Sequence, residues 1–167
     1  MWFVNLLQWL HDTSFSITMR ESVWAEPIVE TIHVLTLTLF IGFAFLLDLR
    51  LLGVCLRSRP VSQVLHKLNP FLFVGFAIMI VTGVFLFCGD PPSFYSTIFF
   101  KIKMIFLVLA GLNVLIFNAT IGRKVAEWDM APKTPRAAKV AAVISIVLWV
   151  AIIAAGRAIA YDLPPPS

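Results

Sequence analysis

At 167 residues, 60% hydrophobic and 13% charged, with a mean hydropathy of +0.93, the chain is too apolar for a water-soluble domain of this length. It reads as an integral membrane protein whose main partner is the lipid bilayer. The net charge of +4 does not indicate nucleic acid, because the basic residues sit in short segments between apolar runs instead of forming a patch.

Residues 1–22 predict an amphipathic helix lying in the membrane interface. On a helical wheel Asn5, Gln8 and Asp12 share one side while Trp2, Phe3, Leu6, Leu7 and Leu10 cover the other, and tryptophan favours headgroup depth. A secretory leader is not indicated, since a basic start is missing and Asn5 and Gln8 interrupt the apolar run.

Four spans follow, at 27–55, 62–88, 98–121 and 138–161, each long enough for a bilayer core that needs about 20 apolar residues as helix. The expected fold class is all-α, an integral membrane four-helix bundle with the N-terminal interfacial helix, in a single domain. Pro60 suits the first turn of the second span, "CGDPPSFYS" makes a tight break, Pro132 and Pro135 interrupt the third connection, and "DLPPPS" ends the chain as an extended tail.

Basic residues set the expected orientation. Arg50, Arg57, Arg59 and Lys67 fall in the first connection, and Arg123, Lys124, Lys133, Arg136 and Lys139 in the third, so both should be cytoplasmic. Both termini are then periplasmic, for a protein of the cell inner membrane. Cys55 and Cys88 lie near opposite ends of their spans and cannot meet within one chain. Asn118–Thr120 matches a glycosylation acceptor but falls at an inner helix end.

The stretch "WAEPIVETIHVL" carries Glu26, Glu30 and His33 into an apolar run. At 100° per residue these three lie on one side of the helix, and Leu37, Ala44 and Asp48 extend that side downward as a polar stripe facing a bundle interior. Glu30 and His33 have the i, i+3 spacing that lets two side chains reach one metal ion, although no second such pair accompanies them. His33 lies about 9 Å below Pro27 at 1.5 Å per residue. Lys101 and Arg157 fall at comparable depth.

Two readings follow. In the first, His33 is an axial ligand of a b-type haem, with Arg157 or Lys101 neutralising propionates. Three geometries follow: His33 with His11 from the interfacial helix, two separate sites with one histidine each at His33 and His66, or a site shared between subunits. In the second, Glu26 or Glu30 pairs with Arg157 and Lys101 as an ion-pair lock in a membrane anchor or scaffold subunit, homo-oligomeric or bound to a redox protein. Asp48 and Arg50 read as a salt-bridged helix end more than as a proton relay, and Asn113 as a hydrogen-bonded tie between helices. Scattered methionines do not line a copper path, mid-membrane repeats are not evident, and no nucleophile shares a depth with a base.

The segments "RESVWAEPIVETIHVL", "DLRLLG", "VTGVFLF", "FKIKMIFLVLAGLN" and "GRAIAY" resemble an uncharacterised group of small bacterial four-helix inner-membrane proteins, loosely similar to CopD-type and cytochrome-b-type membrane proteins. The resemblance covers nearly the whole chain and implies the same four-helix fold. It also implies that relatives often carry "FH" at the place of Phe117–Asn118, a histidine this chain lacks at the depth of His66.

Overall fold

Continuous apolar runs of about 20 residues satisfy their backbone N–H and C=O groups in hydrocarbon by coiling into helices, so the four apolar runs become helices. A computed structural model describes residues 2–129 and 134–162, without the Phe3 side chain. Lys133, Pro132 and the tail at 163–167 lie outside the described residues. Among those described the chain is all-α: α1 (Trp2–His11), α2 (Ser14–Glu21), α3 (Ala25–Leu52), α4 (Val61–Gly89), α5 (Pro91–Ser96), α6 (Ile98–Ala119), α7 (Val125–Trp128) and α8 (Arg136–Asp162). The helices α3, α4, α6 and α8 are long and apolar enough to cross a bilayer, and the chain is a multi-pass membrane protein.

The N-terminal segment forms two helices instead of one. Thr13 stops α1 and caps α2, its hydroxyl accepting from Ser16 N at 3.3 Å. The second helix docks on the end of α4: Ser16 Oγ and Arg20 Nη1 both donate to the Gly89 carbonyl, at 3.1 and 3.0 Å. A helix's last carbonyls lack intrahelical donors and carry partial negative charge, so a guanidinium is a favourable cap there.

The central pair is α3 with α8; α4 packs on α3 and α6 on α8. One apolar cluster joins Phe40, Ala44, Met79, Ala110, Leu148, Trp149 and Ile152. A second, nearer the α3–α4 connection, joins Leu51, Val61, Phe117, Ala138 and Ala142. Asp48 lies between them in the sequence of α3 and is buried at 6% exposure.

Asp48 and Arg50 do not pair. Two residues apart on a helix, they point to different sides, and Arg50 Nε and Nη2 donate to the Arg59 carbonyl at 2.9 and 2.7 Å. Gly53 ends α3 in the left-handed conformation, φ 76°, which glycine adopts without a Cβ clash. Arg50 thereby braces the turn that Gly53 opens.

The start of α4 is capped from a distant loop. Asp129 accepts from Ser62 N at 2.8 Å and from the Ser62 hydroxyl. Burial alone would raise the Asp129 pKa, but the Ser62 and Val61 hydrogen bonds and the Arg50 charge outweigh it and hold the carboxyl below the usual range. A depressed folded-state pKa contributes stability above the unfolded value, about 3.9, that is lost as pH falls through the folded value. Asp129→Ala is expected to cost about 1 kcal/mol, the loss of one cap, in reversible detergent unfolding at neutral pH. The gap to wild type should close in acid below pH 4, and a gap that persists there would show that the carboxylate is not the cap.

Candidate functional site

Along α3 the residues His33, Leu37, Phe40, Ala44, Asp48 and Leu51 make one stripe at helical spacing. Phe40, Ala44, Asp48 and Leu51 are buried, and the first two, His33 and Leu37, are half-buried. His33 is the point where this stripe becomes polar in the half of the bundle nearest α1.

His33 Nδ1 lies 2.7 Å from Thr82 Oγ1 of α4. The Thr82 hydroxyl also reaches the Ile78 carbonyl at 2.7 Å and the Met79 carbonyl at 3.3 Å. A carbonyl can only accept, so the single hydroxyl proton goes back along the helix, as serine and threonine commonly donate within helices. Thr82 then accepts from His33 Nδ1–H, which leaves Nε2 with a lone pair and, among the described residues, no hydrogen-bond partner. Gly83 lies beside this arrangement: a Cβ there would be in ordinary van der Waals contact with His33, 3.5 Å from Cε1.

The cation near the imidazole is Lys103 of α6, whose charge acts on His33. Its Nζ would lie 3.5 Å from a Cβ at Gly156 of α8, an ordinary contact that places the side chain against α8. No carboxylate pairs with Lys103 among the described residues. His33, Thr82, Lys103 and Gly156 therefore bring one residue from each of the four long helices to a single polar centre.

The other expected site residues lie elsewhere. Glu26 and Glu30 are exposed, and neither forms an ion pair with Lys101 or Arg157. Arg157 is exposed, with its guanidinium 5.8 Å from the Tyr161 ring centre and Nη2 3.4 Å from the Tyr161 hydroxyl. Lys101 lies over the Tyr95 ring at 4.8 Å. His11 has Nδ1 3.1 Å from Asp12 and Nε2 3.9 Å from Asp90, so both ring nitrogens face carboxylates. His66 is exposed and, 16 residues before Thr82 on α4, about 24 Å from the site's level. Among the described residues no cluster of three or more His, Cys, Asp or Glu could hold a metal ion.

Thr82 and Lys103 do not stand out as site residues in the sequence, but one signal for Lys103 exists. Lys103, Ala110 and Phe117 recur at seven-residue steps, and the latter two are buried, so Lys103 shares the inward stripe of α6. Lys101 does not.

Neither the comparison with curated proteins nor that with solved structures gives a match. A family model does match over residues 12–162, from just after α1 to the end of α8, and takes in every residue of this polar centre. The chain belongs to the DUF6644 family, a family of unknown function.

Proposed function

We propose that this chain is a membrane redox protein that holds b-type haem through His33 Nε2. The observation that supports this reading is the state of the imidazole: Nδ1 is engaged by Thr82 while Nε2 has no hydrogen-bond partner among the described residues. A metal-ligating histidine has its other ring N–H held by a neighbouring acceptor, the part Thr82 plays here.

The residues fit one axial position. Lys103 replaces Lys101 and Arg157 as the cation suited to a propionate, since it is unpaired and within electrostatic range of His33. His11 and His66 are directed to other surroundings and would not join His33 in holding the group. Bound haem would supply one-electron chemistry. His33 would hold the iron, Thr82 would fix the imidazole tautomer, and Lys103 would offset carboxylate charge.

Basic residues in the first and third connections support an inner-membrane orientation with both termini periplasmic. His33 is then in the periplasmic half. An anchor or scaffold role has one observation in its favour, the exposed and unpaired Glu26 and Glu30 at the start of α3, which suit a partner's cation. The two separate cleanly in an absorption spectrum of protein purified in mild detergent after expression with haem supplied. A Soret band, with α and β bands that sharpen on dithionite reduction, is expected. A featureless spectrum would overturn the haem reading and leave the scaffold.

A further inference from the structure

The second buried polar centre lies far from the first. Asp48 is 15 residues beyond His33 on α3, about 22 Å along the axis, and nothing in the haem reading uses it. Its Oδ2 is buried and lacks a hydrogen-bond partner, while the side chain as a whole is 94% buried by its 6% exposure. The polar neighbour is the Ser145 hydroxyl of α8, itself buried.

Among the described residues none of the charged groups on the packed elements pairs with Asp48, including Lys67 of α4, Lys101 and Lys103 of α6, and Arg136, Lys139 and Arg157 of α8. On α3 itself, Arg50 is held by the Arg59 carbonyl. On α6, Asn113 Nδ2 donates to the Ala141 carbonyl of α8 at 3.0 Å, one turn before Ser145. From the connection after α6, Asp129 engages Ser62, and the α4 residues of the apolar clusters, Val61, Leu65, Leu72 and Met79, are uncharged. No Lys, Arg or His forms an ion pair with Asp48 among the described residues.

An ionised carboxylate in this setting would be an uncompensated charge inside a low-dielectric span, which costs several kcal/mol per ion even after relaxation. Three escapes exist: a cationic side chain, a metal ion or a proton. The first is missing. A hard cation asks for six or more oxygens, whereas Asp48 and Ser145 supply three, and apolar clusters close the site on both sides. We infer that Asp48 and Ser145 form an occluded proton-binding site, in which Asp48 holds a proton at neutral pH as a neutral carboxylic acid.

The proton sits on the oxygen beside Ser145 and is donated to that hydroxyl. Oδ2 is then the carbonyl oxygen, and leaving a neutral carbonyl without a donor costs far less than leaving a carboxylate so. The ligand of the site is H⁺, and the site stands independently of any haem at His33.

Infrared difference spectroscopy of the full chain in liposomes tests this. At neutral pH wild type is expected to show a protonated-carboxyl C=O band that shifts in D₂O and is absent in Asp48→Asn. Because the amide mimics the neutral acid, Asp48→Asn should also melt like wild type. If Asp48→Asn does not assemble, Ser145→Ala decides, since removing the hydroxyl should displace the band. No carboxylic-acid band assignable to Asp48, a band unmoved by Ser145→Ala, or a band abolished by added Na⁺ or K⁺ would each overturn the inference.

Discussion

His33→Ala is expected to purify without any Soret absorbance under conditions in which the wild-type chain carries haem. The effect is all-or-none because the bundle offers one histidine nitrogen in the right state: Nε2 of His33 is unpartnered, while His11 is held between Asp12 and Asp90 and His66 is exposed at the far end. His11→Ala and His66→Ala are therefore expected to leave the spectrum unchanged. Thr82→Val should retain colour but bind haem about 10- to 100-fold more weakly, the usual cost of losing the group that orients a ligating imidazole. Haem retained by His33→Ala with an unaltered spectrum would exclude His33 as the ligand, and loss in His11→Ala alone would move the site to the α1–α5 corner.

The largest stability effect is expected at Trp149→Ala. Trp149 is 4% exposed, makes an edge-to-face contact with Phe40 at 4.8 Å between ring centres, and belongs to the apolar cluster that joins α3, α4, α6 and α8. In water-soluble proteins such a truncation costs about 3–5 kcal/mol, of which part is transfer from water. Here the separated helices also sit in hydrocarbon, so that part disappears and lost packing remains. Roughly 2–3 kcal/mol is the expectation from the cavity and the aromatic contact together, read as a lower midpoint of reversible unfolding in detergent. Val150→Ala, one residue on and 52% exposed, should be nearly silent. Equal effects at the two positions would mean that the side of α8 bearing Trp149 is not the packed one.

The polar stripe of α3 was legible from periodicity, whereas of the polar centre only His33 was, for an identifiable reason. The stripe through His33, Leu37, Ala44 and Asp48 follows from 3.6 residues per turn, and Asn113 does tie α6 to α8. Glu30, Lys101 and Arg157 fit the same depth arithmetic yet lie outside the polar centre, and Lys103, two residues from Lys101, lies inside it. Depth sets which residues share a level. It does not set which of them face one another.

Composition and hydropathy alone determined that the chain is an all-α membrane protein with four spans, because continuous apolar runs of about 20 residues satisfy their backbone in lipid as helices, whereas barrel strands are about half as long and alternate in polarity. Prolines and caps marked where the helices stop. Burial of the ionisable residues was decided only by the tertiary structure. Glu30 and Asp48 are 18 residues apart on α3, a whole five turns at 3.6 residues per turn, so the sequence puts them at the same angle on the same helix. One is exposed and the other is 6% exposed, because Asp48 lies where Ser145 of α8 covers that angle, whereas a turn below Glu30 the covering contact is from Thr82 of α4 on the His33 side. Neighbours change along a packed helix while its own periodicity does not, and that difference separates a polar stripe read from sequence from a site.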